Sequence, residues 1–537
     1  MKAAIIVTYL VVVTGIGILA RRRAQKGATD FFLAGRSIGP VLLLLTMAAT
    51  NFSAFTVFGF AGAGYRFGYA YYPIMGFGTG FMALTFLFIG IPVWQAGLRL
   101  GAVSPPELIW LRFRNRPLRA AYLLVMIVFT LPYLAIQPMG AGYALEGLLG
   151  IPYVWGAVAV TLVVVGYVLL GGMRGVVWTD ALQGLLMLGA MAAVFFGLAK
   201  ALAGFETANA RVFSEAPELF SRPGGAAQFT LGIWFSYMVL WFLCDPMFPQ
   251  LFQRFLAAKS ERSLRLTALL YPLVTGVLFF LPVAVGVMGR LIVPGLEGKA
   301  TDQVLPLAVA KTLPAWMGAI AIGAGLTALM STMDSQLLTL GSMFSRDVRQ
   351  LAAPRGHRFV HRRLVVAVLA LVGLVLALRP VATILQIATE AFTGLAVLFP
   401  VTVAGIYWKR TNPWAGLASI LVGEGLVVLY HYKLLPTFGL LPVIPVVLAA
   451  GLVLVFGSLV WPARGLEPLA EAPRAAWRWV MIFGIVFALG IDFWNWGRAQ
   501  LSWLGLPGWV WYHFGLCLLV SVLIGLYFLV QRRQRAV

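Results

Sequence analysis

The stretch Ala328–Leu338, ALMSTMDSQLL, sets Ser331, Thr332, Asp334, Ser335 and Gln336 nearly side by side inside a long apolar run. An ionised aspartate at mid-membrane costs roughly 2.5–3.5 kcal/mol on insertion scales, so something must compensate it. At helical spacing Ala328, Ser331, Thr332 and Ser335 share one stripe, with Asp334 beside it. Two hydroxyls, a carboxylate and freed carbonyls make an all-oxygen cage, and hard cations take oxygen ligands. Na⁺ is the candidate. The competing reading is close helix packing, with each hydroxyl bonded to its own i−4 carbonyl. That reading is the better one for Ser331 or Thr332 alone; the cluster with Asp334 favours an ion.

Two further stretches carry polar groups where an apolar span is expected. MAATNFSAFTVFGFAGAGY (47–65) holds Thr50, Asn51, Ser53 and Thr56, and LCDPMFPQLFQRF (243–255) holds Asp245, Pro246 and Pro249. The first reads as interrupted because small and polar residues crowd Met47–Phe58; in the second, proline removes a backbone hydrogen bond and clashes with the preceding turn, so two prolines three apart read as a break rather than a kink. They stand five spans apart, an odd offset that gives two five-helix sets of opposite orientation. Inverted repeats of this kind bind substrate and coupling ion at their interrupted helices. The substrate-contact candidates are Asn51, Ser53 and Phe55 at the first break, Gln137 on the third core helix and Asp245 near the second break. No arginine is expected deep in the core spans, so an anionic guest would be balanced by Na⁺, helix N-termini or hydroxyls. Of the other acids near spans, Glu146 and Asp492 read as interfacial and solvated, Asp180 stands at the cytoplasmic start of the sixth span, and Glu390 and Glu424 are each open to a role as a proton or substrate group.

The elements that position these residues follow from composition. The 537 residues are 61% hydrophobic and 11% charged, against about 25% charged for a soluble domain. The chain is read as an all-α integral membrane protein of about fifteen spans, since its apolar runs are of helix length and not of barrel-strand length. The net charge of +22 does not signal nucleic acid. Basic residues recur in short clusters between spans: Arg21, Arg22 and Arg23; Arg112, Arg114, Arg116 and Arg119; Arg254, Lys259, Arg262 and Arg265; Arg346, Arg349, Arg362 and Arg363; Arg532, Arg533 and Arg535. That alternation predicts a multi-pass protein of the cell membrane with its N-terminus outside and its C-terminus cytoplasmic. The first apolar run lacks an A-x-A-type cleavage site and reads as a retained helix. Cys244 and Cys517 are too scattered for a disulfide framework or metal site. The expected organisation is a leading helix and loop (1–38), a first repeat (39–202), an external loop (203–228), a second repeat (229–407), two additional helices (408–463) and a two-helix extension (464–537).

Four motifs in order carry a family resemblance: TDFFLAGRSIGP (29–40), GGMRGVVWTDALQ (171–183), QRFLAAKS (253–260) and ALMSTMDSQLL (328–338). With the span order they cover about residues 3–461, and the chain resembles the sodium:solute symporters. The resemblance implies a leucine-transporter-like inverted-repeat core with one leading and about four trailing helices. It implies a Na⁺ site at the carbonyls of Ala49, Phe52 and Ala328 and the hydroxyls of Ser331 and Thr332. It also implies a second Na⁺ position at Asp180, Ser331, Asp334 and Ser335, where Asp334 replaces the family's serine and either adds a ligand or pairs with an arginine. Asn51 stands where proline transporters place an aspartate, and TLPYLAIQPMGAG (130–142) looks more like the monocarboxylate branch. LGLPGWVWYHFGLCLLV (504–520) is similar to small two-helix accessory proteins.

The expected function is Na⁺-coupled import of a small organic solute (a monocarboxylate or other organic anion, or an amino acid) by alternating access, with a monomer as the working state. The alternative of the same fold couples to H⁺ through Asp334, Glu390 or Asp180. A membrane enzyme or sensor is disfavoured, because the sequence offers no nucleophile–base set, metal cluster or soluble signalling domain.

Overall fold

The computed structural model describes residues 2–23, 28–352, 362–463, 465–471 and 476–536; one of the fifteen spans read from the sequence, at about 360–379, begins outside them. Among these residues every regular element is helical, and a lone bridge pairs Ile38 with Ala258. The long elements are α1 (Lys2–Arg23), α2 (Pro40–Asn51), α3 (Phe60–Phe67), α4 (Tyr71–Met82), α5 (Ile91–Leu100), α6 (Arg116–Leu149), α7 (Tyr153–Ala201), α8 (Leu231–Cys244) and α9 (Pro249–Ala257). They continue as α10 (Glu261–Ile292), α11 (Ala315–Met343), α12 (Arg362–Ala377), α13 (Ile384–Ala396), α14 (Leu398–Tyr407), α15 (Pro413–His431), α16 (Val443–Val460), α17 (Ala476–Ile491) and α18 (Gly508–Ala536).

Ten of the described helices are long and apolar enough to cross a membrane, eleven with the bent pair α8–α9. The expected fifteen spans differ from this for two reasons. Apolar helices at Val7–Ala20 and Leu364–Ala377 are short, and two expected spans run together in each of Phe55–Leu100, preceded by the short helix Pro40–Asn51, and Tyr153–Ala201. Within the latter the chain turns at Gly172, whose φ of +56° suits glycine. A Cβ there would also lie 2.9 Å from the Phe31 ring.

Both expected breaks are present. α2 stops at Asn51, and Phe52 leaves the helical region at φ −88°, ψ 84°. α8 ends in a tight turn, Asp245–Met247, and Phe248 extends to ψ 123° before Pro249 opens α9. A residue preceding proline is pushed out of the α region, and the two segments meet at 52°. α11 packs along α7 and α6, while α10 lies against α3 and α4. Gly286 permits the closest of these approaches, since a Cβ there would fall 2.0 Å from the Ala61 carbonyl oxygen.

The C-terminal hairpin α17–α18 packs on α4 and α10. Asp492 does not sit solvated at an interface. It is buried and paired with Arg222 of the 203–228 loop at 2.8 Å, and the guanidinium lies over the rings of Trp234, Trp496 and Trp509 at 5.7, 5.1 and 4.8 Å. Three aromatic faces and one carboxylate replace the water that this arginine loses.

In the loop between α10 and α11, Asp302 is buried against α3, and its Oδ2 accepts the Ile384 N–H at 2.9 Å, capping α13. Burial pushes this carboxyl up to about 7, against the pull of that N–H and of Arg66. The folded chain therefore holds a proton that the unfolded chain has lost from about pH 4 upwards, so stability falls as pH rises toward 7 and levels above it. Asp302→Asn should flatten this decline in thermal unfolding of the purified protein between pH 5 and 8; an unaltered slope would contradict the assignment.

Candidate functional site

The site is built where the first break meets α11. Beyond Phe52, the next two N–H groups leave the helix ladder. Ser53 N donates to Thr56 Oγ1 at 3.4 Å and Ala54 N to Gln137 Oε1 at 3.1 Å. In a continued helix they would bond the carbonyls of Ala49 and Thr50, which the break releases. Thr332 answers from α11, its hydroxyl donating to Thr50 O at 2.9 Å and to Ala328 O at 3.3 Å. A hydroxyl that has given its hydrogen keeps two lone pairs. Ala49, Phe52, Ala328, Ser331 and Thr332 are all buried, and Thr332 is the one of them that bonds across from α11 to the end of α2.

Beside it lies a buried ionic cluster. Asp180 Oδ1 accepts from Ser331 Oγ at 2.5 Å, and its Oδ2 accepts from Thr46 Oγ1. Arg254 reaches in from α9, its Nη2 bonding Asp180 Oδ2 at 2.8 Å and Ser335 Oγ at 2.7 Å. Its Nε donates to Thr46 Oγ1 at 2.9 Å and its Nη1 to Gln250 O at 2.9 Å. Asp334 accepts from Tyr167 OH at 2.8 Å and Ser335 Oγ at 3.1 Å. The expected second ion position is thus a place where a guanidinium takes up two of the ion's oxygens. This corrects two expectations, that no arginine lies deep in the core and that Arg254 belongs to a cytoplasmic charge cluster. The bend between α8 and α9 turns the last helical turn into the protein, and Arg254 is fully buried.

Between the two breaks lies a small cavity lined by Asn51, Phe55, Thr56, Thr79, Tyr133, Trp241, Asp245, Phe392 and neighbouring apolar side chains. It offers about 10 Å³ to the centre of a water-sized guest, room for about one water. Of the expected substrate contacts, Asn51, Phe55 and Asp245 face it. Ser53 and Gln137 do not line it. Ser53 Oγ accepts from Phe55 N and Tyr133 OH, each at 3.2 Å, and Gln137 is spent on Ala54 N and the Tyr133 carbonyl. Both hold the broken backbone in shape.

The family model for the sodium:solute symporter family matches residues 31–423, more than half of the chain. The chain belongs to this family. The symporter is 27% identical over 459 residues to a sodium/pantothenate symporter of Haemophilus influenzae, covering 82% of this chain and 92% of that one. It is 28% identical over 452 residues to a high-affinity proline transporter of Bacillus subtilis, covering 79% and 92%. Its fold matches the substrate-bound, outward-open structure of a Na⁺-coupled sialic acid symporter with a TM-score of 0.72 at 19% identity, over 87% of this chain and 99% of that one. The symporter is therefore a multi-pass, Na⁺-coupled solute importer of the inverted-repeat fold and not an enzyme.

Sequence reasoning missed Arg254, Thr46, Tyr167, Trp241 and Phe392. Trp241 stands four residues before Asp245, a spacing that shares a helix face and was open to reading. Phe392 sits in an apolar run with nothing to mark it. Removing one partner of a buried ion pair costs about 3–5 kcal/mol, whereas removing both is far milder. Arg254→Gln should therefore lower the thermal stability of the symporter sharply, and adding Asp180→Asn should recover part of the loss. Additive losses in the double variant would show that the pair is not coupled.

Proposed function

We propose that this symporter seats one coupling Na⁺ between the carbonyls of Ala49, Phe52 and Ala328 and the hydroxyls of Ser331 and Thr332, and moves a small organic solute bound between the two breaks. The carrying observation is the pair of hydrogen bonds by which Thr332 spans α11 and the freed end of α2. A cation there ties the broken span to α11 and makes closure conditional on its presence. Asp180 acts one layer out. It accepts the Ser331 hydrogen, which turns the lone pairs of that hydroxyl away from the carboxylate and toward the ion. With Arg254 on Asp180 and Ser335, the second position holds a built-in cation, and the stoichiometry is one Na⁺ per solute.

The N-terminus is outside, so the basic loops lie on the cytoplasmic side and the inside-negative potential adds about 2.3 kcal/mol per 100 mV to each inward charge. With the solute bound beside the two breaks, the bundle built from the repeats 39–202 and 229–407 rocks to face inward. The hairpin 464–537 is a fused accessory unit that moves with α4 and α10. The pantothenate and proline named for the relatives and the sialic acid named for the structural neighbour support a small polar organic solute. One observation keeps H⁺ coupling as the second reading: two buried carboxylates lie in one cluster, Asp180 paired with Arg254 and Asp334 held by Tyr167 and Ser335. Glu390 drops out of that reading, since it pairs with His431 at the surface.

Ser331→Ala and Thr332→Ala each delete a ligand. Each should raise the half-saturating Na⁺ concentration for uptake on the order of tenfold, about 1.4 kcal/mol. Unchanged Na⁺ dependence in both variants, with uptake following a pH gradient instead, would overturn Na⁺ coupling at this seat.

A further inference from the structure

The buried carboxylates of this molecule divide by how their charge is met. Asp30, Asp180, Asp347 and Asp492 pair with Arg174, Arg254, Arg119 and Arg222. Asp245 is as deeply buried, yet among the described residues no Lys, Arg or His pairs with it. Its Oδ2 accepts from Asn51 Nδ2 at 3.2 Å and its Oδ1 from Cys244 Sγ at 3.6 Å. Two weak neutral donors do not replace the hydration of a carboxylate. Asp245 also lines the cavity between the breaks, so a guest in that cavity is placed to meet its charge.

The rest of the lining suits the same guest. Phe392 is the hub of a ring cage, with centroids 4.7 Å from Phe248, 4.8 Å from Tyr133, 5.3 Å from Trp241 and 5.8 Å from Phe55. Aromatic faces attract ammonium groups, most strongly where water is excluded. Among the described residues no basic side chain lines the cavity to balance a free carboxylate, and Asp245 would repel one. Two of the lining residues keep buried polar atoms without a hydrogen-bond partner, Trp241 Nε1 and Thr79 Oγ1. Both can donate to an acceptor on the guest.

We propose that Asp245 and the ring cage around Phe392 seat a substrate ammonium group, so that the solute is a compact amine, zwitterionic or cationic, and not a bare carboxylate. This rests on the symport reading and narrows it. The sequence reading had included monocarboxylates.

The test uses the full chain, purified and carrying its hairpin, and reads thermal stabilisation in Na⁺ against K⁺. The probes are the common amino acids, glycine betaine and choline, each active one set against its carbon isostere: cyclopentanecarboxylate for proline, 3,3-dimethylbutyrate for glycine betaine, 3,3-dimethylbutanol for choline. The expected result is a Na⁺-dependent shift with at least one amine and an apparent affinity at least tenfold weaker for its isostere. Asp245→Asn should erase that preference and Asp245→Glu should restore part of it. The matched pairs work on the unaltered protein, so the proposal stays testable if the variants do not fold. An isostere that binds as well as its amine, pantothenate outperforming every amine, or silence across the amine panel in protein that Na⁺ alone stabilises would overturn it. Absence of any Na⁺ stabilisation without solute would instead count against the symport reading.

Discussion

A helix that ends inside hydrocarbon frees carbonyls that have no water to turn to, and each must find a partner or cost several kcal/mol. This constraint organises the centre of the molecule. At Phe52 the ladder stops because Ser53 N and Ala54 N are claimed by Thr56 and Gln137. The freed end of α2 is then met by Thr332 from α11. The same geometry that keeps the break affordable in free energy presents oxygen to a cation. The proposed ion seat is thus a consequence of how the broken span is satisfied.

The second break works differently because proline makes it. Pro249 sends Phe248 into an extended conformation, and the 52° bend aims α9 and its Arg254 inward. One turn earlier the same break leaves Asp245 in the cavity wall. A single local distortion therefore supplies both a permanent cation for the Asp180 cluster and an acid whose charge is left for the guest. The two halves of the site are electrostatically complementary: neutral oxygens at the first break, formal charges at the second.

The hairpin α17–α18 shows how an extension is made part of the core. Arg222 and Asp492 come from a loop and from the turn after α17, far apart in sequence; each has left water for the other, and the guanidinium also for three tryptophan faces. Because the hairpin rests on α4 and α10, one helix from each repeat and both packed on α3, it is joined to the helices that surround the first break.

Much of this was legible in the residues. The apolar runs, the charge alternation, Asn51 and Ser53 at one break, the prolines at the other and the hydroxyl stripe of α11 follow from local rules: proline geometry, helical periodicity and the cost of polar groups in hydrocarbon. What local rules do not carry is partner choice. Arg254 ends its apolar run as a snorkelling or loop arginine would, and only the bend shows it facing Asp180. Gln137 has the chemistry of a substrate contact, and only the fold spends it on Ala54. Phe392 carries no signal in its own neighbourhood, because a ring becomes part of a cage only when four others surround it. The sequence by itself determined where helices run, where they break and which oxygens face one stripe, since these depend on neighbours within a turn or two. Only the tertiary structure decided which charge meets which, because pairing at long range is settled by which side chains the packed helices bring within hydrogen-bond reach.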